Sequence, residues 1–183
     1  MRSLKNLGQA PAALPVLADD VLEFHAARLL LLLSVCGTAG RINGLTKMAK
    51  LDFFVRYPEF FDQVQEQDGA HLGAAPRLPR ESSMIRFHYG PWDPRYYHIL
   101  AYLEGKGLIT VRQQASTYVF ALTSLGKTVT ASLQRTPVFA RIVAHMAAVK
   151  KALGGKAGST LKDLVYKLFA EEVAEKRLGE VIQ

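Results

Sequence analysis

Met84-Ile85-Arg86-Phe87-His88-Tyr89-Gly90-Pro91-Trp92-Asp93-Pro94 opens the stretch on which the reading of this chain turns, and that stretch runs on to Leu122. Asp93 is a good helix N-cap, and Pro94 then fills the first helical position, where its missing N–H costs nothing. Tyr96, Ile99, Leu100 and Leu103 follow at i, i+3, i+4, i+7 spacing and make one apolar face. Gly105 and Gly107 can supply the left-handed turn that ends the helix. Residues 108–112 and 118–122 alternate as half-buried strands, joined by a polar turn over 113–117. Helix, strand, turn, strand is the back half of a winged helix. The expected fold is therefore mainly α with a small β-hairpin, a winged helix-turn-helix with additional C-terminal helices.

Upstream, residues 1–18 contain Gly8, Pro11 and Pro15 without periodicity and read as a flexible N-terminal arm. Asp19 or Asp20 can cap a helix running to about Cys36. The second half of that helix is apolar all round, which marks it as the central buried helix. Residues 37–40 end it, and a second helix is expected over 45–57, stopped by Pro58. Met48, Leu51 and Val55 form its inward stripe, with Asp52 and Arg56 as an i,i+4 pair on the outside and Lys47 and Lys50 also outward. Residues 60–83, with Gly69, Gly73, Pro76 and Pro79, read as a long irregular loop whose end is made basic by Arg77 and Arg80.

Downstream, Thr123 or Ser124 caps a helix with Leu125, Val129 and Leu133 inward. Thr136-Pro137 opens another, carrying Val138, Ile142, Met146 and Val149 on one side until Gly154 and Gly155 break it. Thr160-x-x-Asp163 resembles a capping box at the start of a last helix, striped by Leu161, Leu164, Val165 and Leu168. The organisation expected is an arm over 1–18, a winged-helix domain over 19–134 that includes the loop 60–83, and a C-terminal helical extension over 135–183.

Half of the 183 residues are hydrophobic (49%), enough for a proper core, so disorder is not the default. A net charge of +7 and a pI near 9.6 favour an acidic partner such as nucleic acid. The charge is uneven. Residues 77–112 hold six cations against three acids, and 135–183 nine against five, whereas the first 76 residues hold seven against eight. Cys36 is the single cysteine, which excludes a disulfide framework and a Cys-based zinc site and leaves a small buried hydrophobe. The apolar run 29–35 is far short of the ~20 residues a membrane span needs. No cationic segment leads into a sustained apolar core near the start, so a cytoplasmic location is expected.

Catalytic signals are weak. Gly126-Lys127-Thr128 follows a strand and opens a helix, but a phosphate-wrapping loop needs a glycine where Ala121 stands, inside the strand. An ordinary helix start is the better reading. None of His25, His71, His88, His98 and His145 pairs at i,i+4 or sits beside a cysteine, so metal-ligand spacing is absent. No Gly-x-Ser-x-Gly elbow occurs, and Glu81 has no second acid or histidine at catalytic spacing. The expectation is a protein that is not an enzyme and holds no cofactor.

Opposite the apolar face of the helix after Pro94, Arg95, His98, Tyr102 and Lys106 line one stripe. In a winged helix this face can enter the major groove, whereas the plain alternative is a solvated surface. The hairpin tip Gln113-Gln114-Ala115-Ser116-Thr117 carries no cation, and Arg112 alone flanks it. Wings that grip duplex DNA bring Lys or Arg, because phosphate contacts supply most of the affinity. Docking on a protein is therefore favoured over DNA reading, with Arg77, Arg80, Lys47 and Lys50 as further candidate contacts for a partner or for DNA. Phe87, Tyr89, Trp92, Tyr96 and Tyr97 are expected to fasten the strand to the helix as core, not to stack on bases.

Two segments go beyond the general pattern. They are Leu45-Thr46-Lys47-Met48-Ala49-Lys50-Leu51-Asp52-Phe53-Phe54-Val55-Arg56-Tyr57-Pro58, and Ser83-Met84-Ile85-Arg86-Phe87-His88-Tyr89-Gly90-Pro91-Trp92-Asp93-Pro94-Arg95-Tyr96-Tyr97 running into Leu103-Glu104-Gly105-Lys106-Gly107-Leu108-Ile109. Together they resemble the middle component of bacterial ABC three-component systems, which includes the small subunit of Lamassu-type defence complexes. The likeness covers roughly residues 20–134. It implies a non-enzymatic winged-helix subunit between an SMC-like ATPase and an effector, often a nuclease, in a complex that senses foreign double-stranded DNA. The family has no catalytic residues to carry over. The rival expectation is a dimeric transcription regulator of the MarR or PadR kind, with Arg95, His98, Tyr102 and Lys106 reading the groove.

Overall fold

The computed structural model describes residues 21–67, 84–87, 90–169, 178–180 and 182, with side chains for all of these except 86 and 87. The expected arm over 1–18, the loop beyond residue 67 and with it Arg77 and Arg80 lie outside the described residues.

Helix α1 (Leu22–Val35) runs through the centre, with Leu29 to Leu33 almost fully enclosed, in keeping with its all-round apolar second half. Strand β1 (Arg41–Asn43) follows, then α2 (Leu45–Arg56) and α3 (Pro58–Gln67). A two-stranded hairpin, β2 (Ile85–Phe87) and β3 (Gly90–Trp92), leads into α4 (Tyr96–Gly105). Strands β4 (Ile109–Gln114) and β5 (Thr117–Leu122) form the second hairpin, and α5 (Ser124–Arg135), a 3₁₀ turn over Pro137–Phe139, α6 (Ala140–Leu153) and α7 (Gly158–Leu168) complete the chain. The protein is mainly helical with one three-stranded antiparallel sheet in the order β1-β5-β4, in which Ile42 faces Phe120 and Val111 faces Phe120 from the other side.

Helix α4 buries the expected stripe Tyr96, Ile99, Leu100 and Leu103. The helix starts at Tyr96 with Arg95 at its N-cap, so Pro94 lies in the turn before it and not at the first helical position. Asp93 shapes that turn, its Oδ1 accepting the backbone N–H of Arg95 at 2.9 Å. Thr123 caps α5 by accepting the N–H of Gly126 at 2.9 Å. Gly126 itself explains the Gly-Lys-Thr sequence: a Cβ there would meet the Leu108 carbonyl oxygen at 1.9 Å, so the glycine lets α5 lie against the chain entering β4. Gly126→Ala should force the two apart and lower stability by about 1–3 kcal/mol or more, read as a fall in the urea midpoint.

Several expectations change. Pro58 does not only stop α2; it opens α3 from the first helical position, and Phe60, Phe61 and Val64 then turn inward. Residues 60–67 are therefore helix and not loop. Strand β1 was not foreseen, because three residues with Ile42 as the one buried side chain leave too short a pattern to read. Helix α7 starts at Gly158, two residues before Thr160, and Asp163 is exposed, so no capping box forms. A Cβ on Gly158 would approach the Lys47 backbone nitrogen at 3.0 Å, which shows how closely α7 begins against α2. Val138 is 76% exposed, but Ile142, Met146, Val149 and Leu153 of α6, with Leu161, Val165 and Phe169, belong to the same core as α1 and α2. The C-terminal helices are thus built into the domain and are not an appendage. Phe169 sits 4.6 Å from the Phe60 ring, edge on, within an aromatic group that includes Phe53 and Phe54.

The β4–β5 turn has two residues between the paired Gln114 and Thr117, and Ala115 there adopts a left-handed φ of 51°. An L-residue pays roughly 1–2 kcal/mol for this conformation, part of which glycine returns as lost chain entropy. Ala115→Gly is expected to raise stability by about 0.5–1 kcal/mol and the melting midpoint by a few degrees, checked by calorimetry.

Candidate docking surface

The outer face of α4 is set by what lies behind it. Asp52 of α2 accepts from Arg28 Nε at 2.9 Å, from Arg28 Nη2 at 3.3 Å and from the Tyr96 hydroxyl at 2.7 Å. Asp93 accepts from Arg56 at 2.8 Å and from the Arg95 guanidinium at 2.8 and 2.9 Å. Arg56 also approaches Asp52 at 3.9 Å. His25 lies 2.8 Å from a guanidinium nitrogen of both Arg28 and Arg95. The result is a buried polar network that ties α1 and α2 to the start of α4. Burial pushes the Tyr96 phenol up, and the charge of Asp52 adds to this. Burial also pushes the Asp93 carboxyl up, but hydrogen bonds from Arg95 and the charges of Arg56 and Arg95 reverse the effect and hold it well below the carboxylate range.

This overturns the outward assignment of α2's charges. Asp52, Arg56 and Lys50 are at most 1% exposed. Lys50 Nζ donates to the Pro91 carbonyl at 2.9 Å, which fixes β3 to α2, and burial pulls its pKa down to about 7. Lys47 is half-buried and donates to the Gly154 carbonyl at 2.8 Å, at the C-terminal end of α6, where a cation is favoured. Neither lysine is placed as an outward contact.

Of the expected stripe on α4, His98 and Lys106 are exposed and Tyr102 is half-buried, with Lys106 Nζ 5.6 Å from the Tyr102 ring. Arg95 departs from it. Its side chain is 34% exposed and its guanidinium is engaged by Asp93 and His25. The stripe's arginine, the residue type suited to reading guanine, is thereby turned back onto the fold.

Beside that stripe lies a groove of about 440 Å³ between α4 and the β4–β5 hairpin, floored by Leu45, Leu100, Val111 and Phe120. Tyr97 and Tyr118 stand at its walls, 65% and 50% exposed, among the few large apolar side chains open to solvent in the described residues. Tyr97 is therefore surface and not the core residue expected, although Trp92 packs 5.7 Å from its ring and 5.1 Å from that of Tyr96. Glu104 is the one ionisable acid lining the groove, and its Oε1 accepts the Val111 N–H at 3.0 Å. The sequence held a signal for this surface: Tyr97, Ala101 and Glu104 recur at i, i+4, i+7 next to the buried stripe, and Val111, Tyr118 and Phe120 share one face of the hairpin.

Among the described residues no helix is long and apolar enough to cross a membrane, and no three His, Cys, Asp or Glu side chains gather to hold a metal ion. His145 is buried, with Nε2 3.0 Å from the Phe54 carbonyl and its pKa lowered by burial, a core histidine. Comparison with protein-family models, with curated proteins and with solved structures gives no match.

Proposed function

We propose that this chain is a non-catalytic winged-helix adaptor in an SMC-like ATPase defence complex. In that role it bridges the ATPase and an effector nuclease and contributes to sensing double-stranded DNA through the complex. Three lines support the reading. The order helix, strand, helix, then helix and hairpin, with β1 laid on β5, fits a winged helix carrying α3 and β2–β3 as an insertion. The two segments that resemble the ABC three-component middle subunit meet in space through Lys50 and Pro91, Asp52 and Tyr96, and Arg56 and Asp93. The shared pattern thus reads as a structural brace for α4 and not as an active site.

The observation that carries the proposal is the character of the α4–hairpin face. It pairs an apolar groove containing a carboxylate with a hairpin tip free of cations, and Arg95 is drawn inward. Phosphate binding needs the opposite. A dimeric DNA-binding regulator would rely on Arg95 as a base reader, and its engagement with Asp93 and His25 weighs against that role. The test is co-expression with the products of neighbouring genes. A large coiled-coil ATPase should co-elute with this chain, and the purified chain alone should bind duplex DNA weakly at physiological salt. Tight, sequence-specific binding to a palindrome by the isolated chain would overturn the adaptor reading in favour of the regulator.

A further inference from the structure

We infer that the groove between α4 and the β4–β5 hairpin receives an amphipathic helix of a partner polypeptide, with apolar side chains on successive turns and a Lys or Arg set against Glu104. This rests on the adaptor reading only in placing the partner in a complex; the chemistry comes from the groove itself.

The wall formed by Tyr97, Ala101 and Glu104 extends over seven residues of α4, about 10 Å, or two helical turns. A volume of about 440 Å³ over a floor of Leu45, Leu100, Val111 and Phe120 accommodates a few apolar side chains and not a folded surface. The occupant is not an added strand. Strand β4 is the sheet edge, but its Val111 N–H is already taken by the Glu104 carboxylate, which a pairing strand would have to displace. Side chains must therefore make the contact, as they do when a helix lies in a groove.

Charge selects the partner. Among the described residues no Lys or Arg forms an ion pair with Glu104, and the nearby Lys106 lies over the Tyr102 ring. Once an apolar partner excludes water from the groove, an uncompensated carboxylate becomes costly, and a cation on the partner removes that cost. The same carboxylate repels a phosphate backbone. Tyr97 and Tyr118 can each cover apolar surface while keeping a hydroxyl at the rim, the arrangement that makes tyrosine frequent in binding sites.

The full chain is to be used as bait for a displayed library of short helix-forming peptides with random positions on one face. Enriched peptides should combine apolar residues at i and i+3 or i+4 with a Lys or Arg one turn further on. Affinity of the best peptide should fall at least about tenfold on Glu104→Lys and on Tyr97→Ser, and its charge-reversed form should regain affinity for Glu104→Lys. Both positions are exposed, so circular-dichroism melts within a few degrees of the parent serve as the folding control, the small shift matching loss of the exposed Glu104–Val111 hydrogen bond. The inference fails if no peptide is enriched, if the winners are acidic or indifferent to both substitutions, if duplex DNA displaces them, or if the groove is closed by self-association in sedimentation. The selection needs no ATPase. Loss of co-elution with working peptides would remove the adaptor reading alone, and co-elution without peptides would remove the groove alone.

Discussion

Asp52→Ala is expected to lower folding stability by about 3–5 kcal/mol, because it strips the enclosed Arg28 of a carboxylate partner and Arg56 of the more distant of two. Arg28 and Arg56 have side chains with no exposure, and Asp52 is the group between them. Such a loss is a large share of a typical domain's total stability, so the variant should unfold at much lower urea or fail to fold. Tyr96→Phe removes one hydrogen bond to the same carboxylate and should cost only about 1–2 kcal/mol. The paired change Arg28→Met with Asp52→Leu removes charge from both sides and should be far less damaging than Asp52→Ala, which keeps the test readable if the single variant does not fold. An Asp52→Ala protein within about 1 kcal/mol of the parent would mean that the network does not hold α4 in place. On the acid side the depressed Asp93 carboxyl contributes stability at neutral pH. That contribution fades as pH drops below its ordinary value of 3.8 and the unfolded chain takes up the proton first.

The second large effect is alkaline. Lys50 has an ordinary pKa of 10.5 and a folded value of about 7, because burial disfavours its charge. Between these values the unfolded chain binds a proton that the folded chain does not, so stability should rise with pH above 7. The gain should reach about 2 kcal/mol by pH 9, read from urea midpoints. Beyond that, the rise levels off. Burial pushes the Cys36 thiol up to about 12 from 9.0, so the unfolded chain loses that proton first and offsets the Lys50 gain; stability declines once pH passes the ordinary lysine value of 10.5. Lys50→Met should be about 1–3 kcal/mol more stable than the parent at pH 7, the lost bond to Pro91 offsetting part of the gain. It should keep only the smaller rise due to Lys47, whose pKa is lowered by burial and by Lys150. An identical pH profile in parent and variant would show that Lys50 is not held in the low-dielectric setting described.

Helix α4 was legible because its signals are local: a turn at Asp93, a proline after it, and four apolar residues at helical spacing. Helix α2 was legible as a helix, expected over 45–57 and found over Leu45–Arg56, but the burial of its charged residues was not, and the reason is general. Periodicity assigns charged residues to solvent on the assumption that one face is open. Residues 48–56 of α2 are buried on every side, and apart from the i,i+4 approach of Arg56 to Asp52 the partners of Lys50, Asp52 and Arg56 lie 24 to 44 residues away in the chain. No local window contains those partners. Arg95 departs from the stripe for a partly local reason: Asp93, two residues back, engages its guanidinium, and His25, 70 residues distant, holds the other side. The two walls of the groove leave a trace in spacing, but their meeting does not, because it is assembled from α2, α4 and both strands of the hairpin. Spacing also does not tell an aromatic that covers core from one left open, as Tyr97 and Tyr118 are.

On the proposed reading, the α4–hairpin face meets protein and not naked DNA. A photo-cross-linking phenylalanine analogue placed at Tyr118 of the full chain, co-expressed with its neighbouring gene products and irradiated in cells, tests this most directly. Covalent adducts to a helical segment of a coiled-coil ATPase are expected, reduced by Glu104→Lys. Adducts to DNA, unchanged by Glu104→Lys, would contradict that reading.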